Sequence, residues 1–260
     1  MDLIAPSRWR AVDFISDLHL HPDEPLTLQA WFRYLERTTA DAIFILGDLF
    51  EVWVGDDCLG QDAFASQCAN AIRGATKHAD VFIMHGNRDF LMGAALMQAT
   101  QAQLLSDPTV LVFNGERYLL THGDALCLDD TAYQAFRLTV RSSAWQEQFL
   151  AQALAERQHQ ARQMRTQSED QKRSTQVYAD VDVAAATALM REAQASTLIH
   201  GHTHLPACHT MAPGFTRWVL SDWHLDGVPS RGDVLRLRRA HQGASLQRIS
   251  LTLAEANPPD

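Results

Sequence analysis

Cysteine is scarce in this chain, and its distribution excludes two common roles. The 260-residue sequence has only four cysteines, and none of them forms a Cys-x-x-Cys pair. Such scattered cysteines predict neither a disulfide framework nor a zinc-thiolate site, so a reducing compartment is expected. The first ten residues lack the apolar core of a secretory signal peptide. These absences favour a cytoplasmic location.

Long hydrophobic runs and an excess of positive charge are missing as well. No stretch approaches the roughly 18 consecutive apolar residues that a membrane-spanning helix requires. The formal net charge of −9 argues against nucleic acid as a partner. A hydrophobic content of 46% and a charged content of 20% are typical of a globular protein. The length allows one large domain with an insertion or two small domains.

What the sequence does contain is a repeated pattern, in which apolar runs end in polar residues beside glycine. The clearest run is Ile43–Leu46, which is followed at once by Gly47 and Asp48. Four further strand-like runs lead into Asp17 and His19, into Asn87 to Asp89, into His122 to Asp124, and into His200 to His204. Because ligands bind beyond the carboxyl ends of strands in open α/β sheets, one shared site explains all five. We expect Asp48 at its centre.

The order of the elements predicts the fold class. Up to residue 100, strand patterns alternate with amphipathic helix patterns such as Thr27–Arg37, which indicates βαβ units and a parallel sheet. Beyond residue 109, short strands and an Asn114-Gly115 turn signal indicate antiparallel pairing. We therefore predict an α/β (α+β) fold, in which two mixed β-sheets are flanked by helices within a single domain over residues 1–260.

The stretch from Asp129 to Val181 is different, because it is long, helical in pattern and free of glycine and proline. Arginines are interleaved with apolar side chains, and residues 137–173 carry an excess of three positive charges. Two interpretations follow: an ordinary helix pair packed on the core, or a cap that offers apolar and cationic surface to a lipid-like ligand. On the second interpretation, Arg157, Arg162 and Arg165 face an anionic membrane.

The strand ends supply seven potential metal ligands: Asp17, His19, Asp48, Asn87, His122, His200 and His202. Imidazole nitrogens combined with carboxylate and amide oxygens suit Mn²⁺, Fe²⁺ or Zn²⁺. Seven donors exceed the needs of one tetrahedral centre and suit two ions that share a carboxylate. The alternative, that these residues form separate structural turns, leaves the fivefold recurrence of the pattern unexplained.

An ordered set of short motifs runs through the chain: Asp17-x-His19, Gly47-Asp48, Gly86-Asn87, His122 and Gly201-His202-x-His204. Over residues 12–204 this set resembles the motifs of the calcineurin-like metallophosphoesterases. The resemblance implies a two-metal site between two mixed sheets. It also implies a ligand distribution: Asp17, His19 and His202 on one ion, Asn87, His122 and His200 on the other, and Asp48 as the bridge.

One motif departs from the general family. Residues 86–89 read Gly-Asn-Arg-Asp, so that Arg88 stands where the family usually has a histidine that assists the reaction. Arginine keeps its proton at neutral pH but binds phosphate oxygens with its fork of N–H groups. Together with the Gly47–Glu51 motif and the stretch Asp129–Arg137, this departure resembles one subfamily, the UDP-2,3-diacylglucosamine pyrophosphatases of lipid A biosynthesis.

Resemblance to this subfamily implies hydrolysis of the diphosphate of UDP-2,3-diacylglucosamine to UMP and 2,3-diacylglucosamine 1-phosphate (lipid X). The attacking group would be a hydroxide activated by two divalent ions, most often Mn²⁺. A helical lid insertion would occupy residues 129–181. The residues implied in catalysis are Asp48, Asn87, Arg88 and His122. The residues implied in substrate binding are Asn87, Arg88, Asp130, Ser168, Lys172 and His200.

An acylated UDP-sugar substrate implies the inner-membrane surface as a second partner. We expect a monomer that binds peripherally to the cytoplasmic face of that membrane, with no nucleic-acid partner. One alternative is another calcineurin-like phosphodiesterase or nucleotide pyrophosphatase, which Arg88 and the amphipathic insertion disfavour. The other is a scaffold that has lost activity, which the full set of metal ligands disfavours.

Overall fold

The computed structural model describes residues 2–175, 180–241 and 243–251, and for residues 166–175 it describes the helical backbone only. Twelve strands and seven α-helices form this part of the chain. The strands are β1 (Asp2–Ile4), β2 (Ala11–Ile15), β3 (Ala42–Leu46), β4 (Asp80–Met84), β5 (Gln103–Leu105), β6 (Thr109–Phe113), β7 (Glu116–Thr121), β8 (Thr197–His200), β9 (Ala207–Ala212), β10 (Phe215–Val219), β11 (Asp233–Arg239) and β12 (Ala244–Ser250). The helices are α1 (Pro25–Arg37), α2 (Ala63–Ala75), α3 (Ala94–Thr100), α4 (Thr131–Val140), α5 (Ser143–Leu150), α6 (Leu154–Thr175) and α7 (Val183–Glu192).

The strands form two six-stranded sheets, and both sheets are mixed. The first has the order β12-β11-β2-β3-β4-β5, in which β2 to β5 pair in parallel and β11 pairs antiparallel with β2 and β12. The second has the order β1-β6-β7-β8-β10-β9, with antiparallel pairs at β6–β7 and β9–β10. This arrangement confirms the predicted fold class.

Strand β3 shows how the sheets are buried on both faces. Phe44 and Leu46 pack with Phe113 and Leu120 of the second sheet, so a core lies between the two sheets. The alternate residue Ile45 packs instead among the side chains of α1 and α2, because successive residues of a strand face opposite ways. The uninterrupted apolar run in the sequence therefore reflects burial on both sides.

Helices α4 to α6 lie between β7 and α7 in the chain, and they are called the helical cover below (Thr131–Thr175). The side chain of Asp130 accepts a hydrogen bond from the backbone N–H of Tyr133 (3.0 Å) and begins α4, and Ser142 caps α5 in the same way. Three helices occur where the sequence suggested a pair. The lid role of residues 129–181 stays a prediction, and residues 176–179 lie outside the described part of the chain.

Candidate metal centre

The candidate site lies where strand ends of the two sheets meet. The loops after β2, β3 and β4 belong to the first sheet, and the loops after β7 and β8 belong to the second. Contacts across the gap join them, since the Asn87 side-chain oxygen accepts hydrogen bonds from His122 Nε2 (3.0 Å) and His202 Nδ1 (2.8 Å). The structure therefore brings side chains from five separate strand ends into one place.

The backbone at these strand ends is strained. Five non-glycine residues of the site have left-handed backbone, with φ of 53° at Asp17, 46° at His19, 52° at Asp48, 67° at His202 and 53° at His204. Each such residue costs on the order of 1 kcal/mol, and such strain clusters at functional sites. Glycine permits the close approach of the loops, because a Cβ atom on Gly86 would lie 2.1 Å from Asp48 Oδ1, and one on Gly201 would lie 2.2 Å from Asp17 Oδ2.

Asp17 is a buried carboxylate held by several donors. His204 Nε2 lies 3.3 Å from its Oδ1, and the backbone N–H of His202 donates to its Oδ2 at 2.9 Å. Although burial opposes the charged form, the hydrogen bond with His204 and the nearby imidazoles hold the pKa of Asp17 below its ordinary value. His19 Nε2 lies 3.2 Å from His204 Nε2, so that these three residues offer ligand atoms within 4.8 Å of one another.

Asp48 and His122 form a second group with Asp17, again with ligand atoms within 4.8 Å of one another. Asp48 lies between two imidazoles, with Oδ2 4.0 Å from His19 Nε2 and Oδ1 3.8 Å from His122 Nε2. Burial raises the pKa of Asp48. Burial opposes protonation of His122, but the neighbouring carboxylates, Asp48 first, raise the pKa of that imidazole to about 9. This position between the groups suits a shared ligand, and the bridging role of Asp48 stays a prediction.

The donor set fits divalent metal ions. Imidazole nitrogens and carboxylate oxygens lie within 4.8 Å of one another in each group, an amide oxygen adjoins two imidazoles, and Asp17, Asp48 and His122 are buried. Two buried carboxylates so close together are costly unless positive charge meets them. Mixed nitrogen and oxygen donors of this kind suit Mn²⁺, Fe²⁺ or Zn²⁺.

The contacts of two histidines near the end of β8 bear on the predicted ligand set, which stays a prediction. The sequence predicts His200 as a ligand and omits His204. In the structure, His200 Nδ1 lies 2.8 Å from the carbonyl oxygen of Gly201, burial lowers the pKa of the ring to about 4, and neither metal-competent group found among the described residues includes it. His204 contacts Asp17 and His19 instead. Because His200 is still part of the strand whereas His204 lies beyond its end, the geometry favours His204.

Arg88 lies beside the donor cluster. Its backbone N–H donates to Asp48 Oδ1 at 2.8 Å, and its guanidinium Nε lies 3.8 Å from Asp48 Oδ2. The guanidinium also contacts Glu51, a nearly buried carboxylate that was not among the predicted site residues. The signal for Glu51 was present in the sequence, at the end of the Gly47–Glu51 motif.

Three arginines of the helical cover point toward the protein. Arg137 Nε donates to Asp124 at 2.7 Å, and Arg141 donates to the backbone carbonyl of Gly86 at 2.8 Å. Arg157 is 1% exposed and contacts the carbonyl oxygen of Val54 and the carboxylate of Asp57. The expectation that Arg157 faces a membrane is therefore wrong, since a long cationic side chain that is buried needs internal acceptors.

The remaining predicted substrate contacts lie on the helical cover. Asp130 caps α4, whose Tyr133 ring stacks on His202 at 6.0 Å between ring centroids, so this end of the cover adjoins the cluster. Tyr133 was not predicted from the sequence. Ser168 and Lys172 belong to α6, but their side chains lie outside the described residues. Among residues 2–175, 180–241 and 243–251, no helix is both long and apolar enough to cross a membrane.

Comparison with known proteins agrees with this geometry. A family model described as calcineurin-like phosphoesterase matches residues 11–206. A protein of Chromobacterium violaceum named UDP-2,3-diacylglucosamine hydrolase is 45% identical over 82% of this chain and 91% of its own length. Proteins of the same name from Aromatoleum aromaticum and Xanthomonas axonopodis pv. citri are each 44% identical. The first covers 85% of this chain and 92% of its own length, and the second 92% and 98%.

Proposed function

Since the chain belongs to the calcineurin-like phosphoesterase family, we propose that it hydrolyses the diphosphate of UDP-2,3-diacylglucosamine in lipid A biosynthesis. The products are UMP and 2,3-diacylglucosamine 1-phosphate. The observation that carries the proposal is the position of Arg88 in the Gly86–Asp89 motif, with its guanidinium beside Asp48 of the donor cluster. The names of relatives that are 41–45% identical support the same substrate.

Two divalent ions, Mn²⁺ by preference, are part of this proposal. Their ligands are Asp17, His19, Asp48, Asn87, His122, His202 and His204, so that His204 replaces the His200 of the sequence prediction. When bound, such ions neutralise charge on phosphoryl oxygens and lower the pKa of water towards about 7. The chain's own contribution is to hold these donors in place before the substrate arrives, in loops that glycines and left-handed residues shape.

Arg88 is the residue that we assign to the diphosphate. A guanidinium stays charged at neutral pH and presents parallel N–H donors, which match two phosphate oxygens. Asn87, next to it, has its side-chain oxygen 3.0 Å from His122 Nε2 and 2.8 Å from His202 Nδ1, so that three of the proposed ligand residues adjoin one another. Asp48 accepts the Arg88 backbone N–H, so the position of the arginine is tied to that of the central carboxylate. Catalysis by these groups is mainly electrostatic stabilisation.

The helical cover is proposed to hold the acylated sugar as a lid, with contacts from Asp130, Ser168 and Lys172. Leu138 is 74% exposed, and Phe136 and Leu150 are each 42% exposed, which is uncommon for such large apolar side chains on one short stretch. This surface would let a monomer bind peripherally to the cytoplasmic face of the inner membrane, where a diacylated substrate resides.

Phosphorus NMR tests the proposal. The protein is incubated with UDP-2,3-diacylglucosamine and Mn²⁺ in detergent, and the spectrum is expected to lose the diphosphate signals and gain those of UMP and a sugar 1-phosphate. A parallel reaction contains a chelator in place of Mn²⁺ and is expected to show no change. Turnover of bis-p-nitrophenyl phosphate that equals or exceeds turnover of the lipid would instead favour a general phosphodiesterase.

A further inference from the structure

Glu51 is a buried carboxylate that contacts three side chains around the donor cluster. It follows β3 by five residues and is only 7% exposed, so its charge needs partners. Oε1 contacts Nη1 of both Arg88 and Arg165, and Oε2 lies 3.4 Å from His19 Nδ1. These partners come from three separate elements: the loop after β4, helix α6 and the loop after β2.

The His19 ring lies between Glu51 and the donor cluster. Its Nε2 faces His204 Nε2 (3.2 Å) and Asp48 Oδ2 (4.0 Å), whereas its Nδ1 faces Glu51. His19 Nδ1 is buried and has no hydrogen bond of good geometry within the described part of the chain, so Glu51 Oε2 is the acceptor within reach. A carboxylate behind a histidine fixes the tautomer that leaves the other nitrogen free to bind metal.

Oε1 of Glu51 contacts two guanidinium groups at the edge of the donor cluster. Arg88 is fixed by its backbone to Asp48, and Arg165 reaches in from the helical cover. An arginine has five N–H donors, so that one contact to Glu51 leaves others that can meet phosphate oxygens. A single carboxylate thus sets the spacing of two cations that adjoin the metal ligands.

We propose that Glu51 is a positioning residue for the reaction. Through Oε2 it orients His19 for metal binding, and through Oε1 it holds Arg88 and Arg165 beside the place of the diphosphate. It touches neither the reacting phosphorus nor the metal ions, and it acts through the three residues that it contacts. The part that concerns the diphosphate rests on the proposed function, whereas the part that concerns His19 does not.

The first test is the affinity for Mn²⁺, measured by calorimetric titration of metal-free protein without substrate. Glu51→Gln keeps the size of the side chain but removes its charge, and it is expected to weaken Mn²⁺ binding about 10-fold or more, as loss of a group behind a ligand typically does. Glu147→Gln removes a carboxylate from an exposed position on α5 and is expected to leave the affinity unchanged. Affinity for Mn²⁺ within twofold of the wild type in a folded Glu51→Gln protein overturns the proposal for His19.

The second test separates positioning from a merely structural role. With saturating Mn²⁺, Glu51→Gln is expected to lower kcat for the lipid substrate about 10-fold or more, and Glu51→Asp is expected to restore part of it. In a double-mutant cycle with Arg165→Gln, the two losses are expected to be clearly less than additive, because both remove the same contact. A lower thermal midpoint with unchanged kcat, or full additivity, overturns the proposal for the arginines.

The proposal for Glu51 stays testable if the Glu51→Gln variant does not fold, and it can fail or hold separately from the proposed function. If Glu51→Gln does not fold, Arg165→Gln alone still tests the cationic pair, since its side chain is 40% exposed, and unchanged kcat and KM would then contradict it. If wild-type protein binds Mn²⁺ but does not cleave the lipid, the proposed function fails while the Mn²⁺ titration still tests the role of Glu51 behind His19.

Discussion

The donor cluster and the helical cover both contain charged residues but use them in opposite ways. In the cluster, carboxylates and imidazoles on strained loops converge on one another and leave a volume that suits cations. In the cover, Arg137, Arg141 and Arg157 reach out of their helices and end on acceptors of the main domain. The cluster is arranged to receive a ligand, whereas these three arginines attach the cover to the protein.

This difference changes the interpretation of the basic stretch. Local positive charge beside apolar residues suggested a cationic membrane surface, but Arg157 is buried and Leu138 is exposed. If the cover meets a membrane, the contact is therefore mainly apolar and less sensitive to salt than its composition suggests.

The largest effect, a loss of turnover, is expected when the central carboxylate of the donor cluster is removed. Asp48→Ala removes the carboxylate that lies between His19 and His122, and turnover should fall at least about 1000-fold, which corresponds to about 4 kcal/mol. Because the cluster acts on any phosphodiester, the loss should be equal for the lipid and for bis-p-nitrophenyl phosphate. Steady-state rates at saturating Mn²⁺ check this, with the exposed Asp129→Ala as control. A variant that keeps more than a tenth of the activity would refute the central role.

A smaller effect, on stability, is expected where the cover is attached. Arg157→Gln removes the cation that contacts Val54 and Asp57, and the free energy of unfolding should fall by about 2 kcal/mol because the buried carbonyl of Val54 loses its charged donor. For a chain of this size that lowers the thermal midpoint by roughly 4–8 °C. The exposed Arg238→Gln serves as control in differential scanning calorimetry. An unchanged midpoint, together with weaker vesicle binding, would restore the membrane-facing interpretation of Arg157.

The smallest effect is expected on the outer face of the cover. Leu138→Asp should weaken binding to vesicles of anionic phospholipid several-fold, about 1 kcal/mol, because a charge replaces an apolar group that would enter the interface. Hydrolysis of bis-p-nitrophenyl phosphate should be unchanged. Vesicle cosedimentation measures the effect, and Val228→Asp, at an exposed position outside the cover, is the matched control. Equal losses in both variants would remove the cover from the proposed membrane surface.

Much of the fold could be predicted because local patterns reflect burial directly. The apolar runs before Asp17, Asp48 and His122 are strands, since only strands buried on both faces need such composition. The edge strands β1, β5 and β9 escaped prediction, because β1 and β5 have only three residues each and β9, with six residues, has none that is fully buried. Helix α7, which begins just beyond the stretch 129–181, was not predicted either.

The sequence by itself determined the two-sheet fold, the chemistry of the donors and the strand ends from which they come. Only the tertiary structure favours His204 over His200 as a proposed metal ligand, because whether a side chain enters the cluster depends on where β8 ends and on the left-handed backbone beyond it. Only the tertiary structure, too, brought Glu51 to His19, Arg88 and Arg165, since these contacts join residues up to 114 positions apart along the chain. The sequence gives the positions of charged residues along the chain, but only the packing of the elements determines where each side chain points and which partner it contacts.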